Sequence, residues 1–115
     1  MRILLVLTVA LLLAGVAGAT APPVKDVPSG PVSTIATLRG QLVAIALPHR
    51  VGRSWRLARN GNPRMLRQVG EADVGSNVVV VFRATAKGTA RVTYALTRGE
   101  TAHAFASRSY VVTIR

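Results

Sequence analysis

The chain has 115 residues, no cysteine, and fifteen Lys and Arg against four Asp and Glu, a net charge of +11. The missing cysteine excludes disulfide staples and thiolate metal sites, and the length allows one small domain held together by its core alone. The charge predicts attraction to polyanions or acidic surfaces and says nothing about fold.

The opening "MRILLVLTVALLLAGVAGATA" carries a basic Arg2, an apolar run from Ile3 to Val16, and a small-residue Ala-x-Ala at Ala17–Gly18–Ala19. It reads as a secretory signal, residues 1–19, cut after Ala19. The rival reading is an uncleaved anchor, since no charge falls between Ile3 and Val24. Glycines, alanines and the prolines at 22 and 23 leave less continuous apolar length than the roughly 20 residues a membrane span requires. The "LAGV" at 13–16 resembles a lipoprotein box with Val16 in place of the acylated cysteine, so no lipid attaches there. The expected product is exported, to the periplasm or outside the cell, as a monomer without a membrane span. Without Arg2 it keeps fourteen Lys and Arg, twelve of them arginine, against four acids. Arginine richness can also reflect a codon-biased genome, and composition does not separate the two.

Residues 20–31, "TAPPVKDVPSGP", hold four of the six prolines and read as a flexible, extended leader that does not pack as a central strand. From Val32 to Arg115 the pattern becomes short apolar runs cut by turn residues. "STIATL" (33–38) ends at Arg39–Gly40, and "QLVAIAL" (41–47) puts Val43, Ile45 and Leu47 on one face before Pro48. "SWRLA" (54–58) puts Trp55 and Leu57 together, and "NGNP" (60–63) makes a turn. "NVVVVFRA" (77–84) follows the turn "DVGS", and "ARVTYAL" (90–96) alternates Ala90, Val92, Tyr94 and Leu96 inward. "SYVVTIR" (109–115) closes the chain with Tyr110, Val112 and Ile114 in register. Period-2 runs of β-branched and aromatic residues between Gly, Asn and Pro turns mark an antiparallel sandwich or barrel. About seven short strands with a tryptophan early in the series suit an all-β, immunoglobulin-like sandwich without its disulfide.

The side-chain inventory argues against an enzyme. Beyond the signal there are two histidines, His49 and His103, and the acids Asp26, Glu71, Asp73 and Glu100, with no pair at metal-ligand spacing. No metal site and no cofactor is therefore expected. Ser54 with His49 is the only imaginable nucleophile and base, and no local motif supports it. No glycine-rich phosphate cradle is present.

The stretch Leu47–Gln68 is distinctive. It holds arginines at 50, 53, 56, 59, 64 and 67 around Trp55, the sole tryptophan, and no acid. Arg50, Arg53, Arg56 and Arg59 recur every third residue, which on a helix would line one face. Gly52, Trp55 and Asn60–Gly61 argue against a helix, and in a regular strand a spacing of three alternates faces. Arg56 is then expected in solvent, opposite Trp55 and Leu57, and the series reads as a solvated face plus loop arginines in preference to an anion site. Trp55 reads as core packing. Few aromatics interleave with the basic residues, so stacking recognition of nucleic acid is not expected.

With the strands laid out, Ile35 to Arg115 resembles the chagasin family of cysteine-protease inhibitors. The shared frame is Gly40–Leu47 as G-x-L-x-x-x-x-L, then Gly52–Arg53–Ser54–Trp55, then "VGSNVVVVFRATAKGTARVTYALTR" and "FASRSYVVTIR". The resemblance implies an immunoglobulin-like sandwich whose three edge loops fill the active-site cleft of a papain-like cysteine protease without a covalent step. Its loops would be Pro48, His49, Arg50, Val51 and Gly52; Gly75, Ser76 and Asn77; and Arg98, Gly99 and Glu100. The family's first loop reads Asn-Pro-Thr-Thr-Gly, and only Gly52 is kept here. Its second reads Gly-x-Gly-Gly, of which Gly75 remains. Its third begins Arg-Pro-Trp or Arg-Pro-Phe, of which Arg98 remains without the aromatic. The other readings are an export-localised module whose arginines bind an anionic envelope polymer, and a purely structural envelope protein.

Overall fold

A computed structural model describes residues 22–115; the signal segment 1–19 lies outside the described residues, as do 20 and 21. Seven strands form in chain order: β1 (Val32–Thr37), β2 (Leu42–Pro48), β3 (Ser54–Asn60), β4 (Leu66–Val74), β5 (Asn77–Ala84), β6 (Gly88–Thr97) and β7 (Ala104–Ile114). They build two facing sheets, one ordered β1-β7-β6-β3 and the other β2-β5-β4. β1 runs parallel to β7 and every other pairing is antiparallel. Only β4–β5 and β6–β7 are hairpins; each other connection crosses between the sheets. The expected immunoglobulin-like β-sandwich is what forms.

Alternation makes the core. Val43, Ile45 and Leu47 from β2, with Val80, Phe82 and Ala84 from β5, point from one sheet. Ala90, Val92 and Tyr94 from β6, with Tyr110, Val112 and Ile114 from β7, meet them from the other. Leu66 closes the core from β4, and Ile35, Trp55, Met65 and Val78 pack around its margin. Deleting a large side chain such as Phe82 would cost about 3–5 kcal/mol.

Six strands coincide with runs legible in the sequence. The seventh, β4, has no such run, because it is an edge strand with only Leu66 buried and a bulge that breaks its period. Gln68 pairs with Phe82 and Gly70 with Val81, leaving Val69 unpaired. β7 begins at Ala104, five residues before the alternating run that announces it, because its first half carries hydroxyls on the outer face.

β3 departs from its expected pattern. Trp55 packs against the core, but Leu57, expected beside it, is 44% exposed. β3 edges the four-stranded sheet, and the opposing sheet has one strand fewer to cover it. The strand also carries a bulge: Leu57 pairs with Tyr94 and Arg59 with Thr93, so Ala58 is the extra residue.

The leader runs extended alongside the four-stranded sheet. The Lys25 N–H donates to the Ala102 carbonyl at 2.9 Å, and the Ser109 N–H donates to that of Pro31 at 2.9 Å. The Ser107 hydroxyl donates to the Pro28 carbonyl at 2.6 Å. Gly30 passes so close to Ser107 that a Cβ would overlap its carbonyl oxygen.

One polar group in the core is unsatisfied. The Tyr94 hydroxyl is buried and has no hydrogen-bond partner. Burial, then the neighbouring charges of Glu71 and Tyr110, push its pKa upward. Since an unpaired buried hydroxyl costs about 1–3 kcal/mol, Tyr94→Phe is expected to match or exceed the wild type in urea midpoint at neutral pH. The raised folded-state value also fixes the sign of an alkaline effect. Below about pH 10 the tyrosine is neutral folded or unfolded; above it only the unfolded state releases the proton, so stability falls as pH rises. Tyr94→Phe should reduce that alkaline loss, and a midpoint that drops well below wild type at pH 7 would mean the hydroxyl is bonded after all.

Candidate functional site

The strand directions bring three connections to one end of the sandwich. They are the β2–β3 loop (residues 49–53), the β4–β5 turn (Gly75 and Ser76) and the β6–β7 loop (residues 98–103). The eleven loop residues expected from the sequence therefore lie at one end, Pro48 and Asn77 being the strand residues that begin and close the first two connections.

Backbone requirements explain which residues of the loops are glycine. Arg50 to Arg53 is a tight turn closed by the Arg53 N–H donating to the Arg50 carbonyl at 3.1 Å, with Gly52 at φ +71°. Val51 has negative φ, so the turn is of type II, where the third residue must adopt positive φ. Val74 pairs with Asn77 across a two-residue hairpin, and Gly75 at φ +60° takes its first central position, as a type II′ turn demands. The third loop turns at Arg98–Thr101, where the Thr101 N–H donates to the Arg98 carbonyl at 3.3 Å. Thr97 braces it, its hydroxyl donating to the Gly99 carbonyl at 2.6 Å.

The loops are tied to one another. The His49 N–H donates to the Ser76 carbonyl at 2.9 Å, and His49 Nε2 lies 3.3 Å from Asp73, an ion pair when the imidazole is protonated. Both partners are exposed, so that pair contributes little to stability and acts as a local tether. The first loop meets the third through Arg53, whose guanidinium stacks 3.8 Å from the Phe105 ring centre; Phe105 in turn packs edge-on against His103 at 4.7 Å. Beneath the first loop, Trp55 Nε1–H donates to the Pro48 carbonyl at 2.8 Å. Val51, at the tip, is fully exposed.

Several participants had no signal in the sequence. Asp73 and Glu71 lie in β4, where Glu71 pairs with Val80 and Asp73 with Val78, so both face the inner side at the open end. There they line a shallow cleft with His49, Arg50, Arg53 and Trp55. Phe105 stands outside any alternating run, and only the fold brings it to this end. The expectation for Arg56 needs correcting: it does lie opposite Trp55, but it is half-buried and bonded, its guanidinium donating to the Thr101 carbonyl at 2.6 Å and the Pro22 carbonyl at 2.5 Å. Ser54 and His49 share the cleft without a hydrogen bond between them; His49 turns to Asp73.

No family model and no curated protein matches the sequence. Among solved structures, the chain is similar to the cysteine protease inhibitor EhICP2 from Entamoeba histolytica, with a TM-score of 0.56 and 15% identity over 76% of this chain and 99% of that one. It is equally similar to the solution structure of amebosin, with a TM-score of 0.56 and 15% identity over 76% of this chain and all of that one. At this identity the likeness is one of fold.

Two substitutions separate packing from loop conformation. Trp55→Ala removes both a core-margin side chain and the bond to Pro48, and an unfolding free energy lower by about 3 kcal/mol is expected by denaturant titration. Gly52→Ala meets no atom within 4 Å and suffers only from its left-handed backbone, so a loss of about 1–2 kcal/mol is expected with the fold intact.

Proposed function

We propose that the protein is an inhibitor of papain-like cysteine proteases that blocks the active-site cleft with the three loops at one end of the sandwich. The observation that carries the reading is the tethering of those loops: the first is bonded to the second through His49 and reaches the third through Arg53 stacked on Phe105 of β7, which packs against His103. Loops held in place before binding lose less conformational entropy in the complex, which is what a noncovalent cleft-filling inhibitor requires. The fold likeness to a solved cysteine protease inhibitor supports the same reading.

The contact surface differs from the neutral loops of the chagasin pattern. Val51 at the tip and the partly exposed Phe105 supply apolar contact, while Arg50, Arg98 and Glu100 supply charge and His49 a polar ring. Three of the four acids, Glu71, Asp73 and Glu100, belong to this end, so its wedge is mixed in charge although the chain is strongly basic. A mixed wedge sets partner choice and encounter rate, and leaves the protein a competitive blocker with no chemistry of its own.

Titration of residues 20–115 into papain at low and at high salt tests the proposal. Stoichiometric inhibition is expected at both, because shape complementarity, unlike counterion release, survives salt. Replacing Pro48–Val51 by Gly-Ser-Gly-Ser is expected to abolish inhibition and keep a cooperative melt. Absence of inhibition at either salt, against papain and other proteases of its class, would remove the inhibitor reading.

A further inference from the structure

The outer face of the four-stranded sheet carries a second cleft, which shares no lining residue with the one at the loop end and is independent of the inhibitor reading. The bulge at Ala58 creates it. Arg56 pairs with Ala95, and Arg59 pairs with Thr93, two residues further along β6 and on the same side of it. Cross-strand partners share a face, so both arginines lie on the outer face despite their spacing of three. The rows continue into β7, Ala95 pairing with Ser107 and Thr93 with Ser109. Arg91, two residues before Thr93 on β6, joins the same face.

An outer sheet face ordinarily meets water, yet here Thr93, Ser107 and Ser109 are only 8%, 5% and 6% exposed. The leader covers them, with Gly30 seated against Ser107. Between leader and sheet remains a cleft of ≈ 280 Å³, lined among others by Pro28, Ser29, Arg59, Arg91, Thr93 and Ser109. None of the four acids lines it, and among the described residues neither Arg59 nor Arg91 is in an ion pair. The hydroxyls of Thr93 and Ser109 are 2.9 Å apart, so one proton is shared between them and the other is left to donate. Two guanidinium forks and a hydroxyl donor, with no competing carboxylate, are the fittings of an oxyanion site.

We propose that this cleft binds a small oxyanion-bearing ligand, a carboxylate or phosphate carried on a unit the size of one sugar ring, with Arg59 and Arg91 as its clamps and the Thr93–Ser109 hydroxyl pair as its floor. The cleft lies below the roughly 300–1,000 Å³ of pockets that enclose larger ligands, which sets the size class. Arg56 is not a clamp: its guanidinium is committed to the Thr101 and Pro22 carbonyls and holds the leader across the sheet.

The test is an NMR titration of the purified protein with galacturonate, with glucose 6-phosphate, and with glucose as the uncharged control, following arginine Nε–Hε and backbone amide signals. Saturable shifts are expected at Arg59, Arg91, Thr93 and Ser109 with at least one of the two anions, and none of the four is moved by glucose; which anion binds tells carboxylate from phosphate. The double variant Arg59→Gln/Arg91→Gln should weaken binding at least about tenfold, the scale of losing one charged hydrogen bond. The variant Arg39→Gln/Arg67→Gln removes the same charge elsewhere and should leave affinity within about twofold. Gly30→Ala, which forces the leader off Ser107, should weaken binding comparably to the clamp variant while the two clamps stay in place. Equal losses in both double variants, shifts spread over all exposed arginines, or no saturable response to either anion would each overturn the site.

Discussion

Everything in this molecule hangs on one contact: the meeting of the β2 and β5 side chains with those of β6 and β7 between the two sheets. No disulfide supplements it, and stability in a domain of this size is a margin of roughly 5–15 kcal/mol. The same packing positions the loops. Trp55 sits at the margin of the core, under the first loop, and its indole holds the Pro48 carbonyl where the chain leaves β2. The loop end is therefore an extension of the core, and its first loop begins at a point that hydrophobic packing has already fixed. That is why two very exposed features, the Val51 tip and the His49–Asp73 pair, can depend on a half-buried side chain at the core margin.

The sandwich was legible in the sequence because alternation is a local signal. Val43, Ile45 and Leu47, or Tyr110, Val112 and Ile114, announce their faces without knowledge of any partner. Three connections at one end were legible through resemblance, and the glycines kept in the first two loops coincide with backbone positions that demand positive φ. β4 was not legible. Its residues pair with β5 yet bury almost nothing, so no burial pattern was written into them. Asp73, Glu71 and Phe105 were missed at the loop end for the same reason, since each is placed by a pairing partner and not by its sequence neighbours. The arginine series failed differently. Its spacing was read with regular strand geometry, which one inserted residue is enough to invert.

Both edge strands that flank the open side of the sandwich, β3 and β4, carry such an insertion, and in each the effect falls on charged residues. In β4 regular alternation from Leu66 would send Gly70 and Ala72 inward; the bulge at Val69 sends Glu71 and Asp73 there instead. They reach the end where His49, Arg50 and Arg53 stand. The acids are thus concentrated where the loops are, and the cationic excess is left to the sheet faces. A chain with net charge +11 in this way carries a mixed-charge loop end and an acid-free cleft on its outer sheet face. Glu71 in that position also explains part of the upward push on the Tyr94 hydroxyl, which faces the same interior.

In β3 the physical reason for the bulge can be read from the residues on either side of it. Strict alternation from Trp55 through Leu57 would turn Arg59 to the inner side, at the partly covered margin where Leu57 is 44% exposed. Taking up Ala58 as an extra residue, small enough to sit in the kink, sends Arg59 outward opposite Thr93 and brings Asn60 in opposite Val92. Asn60 suits that position, because its amide donates to the Leu66 carbonyl at 3.1 Å and its side-chain oxygen accepts from the Asn62 N–H at 3.2 Å, ordering the crossing to β4. The insertion that brings Asn60 to the crossing is thus the same event that sets two arginines side by side on the outer sheet.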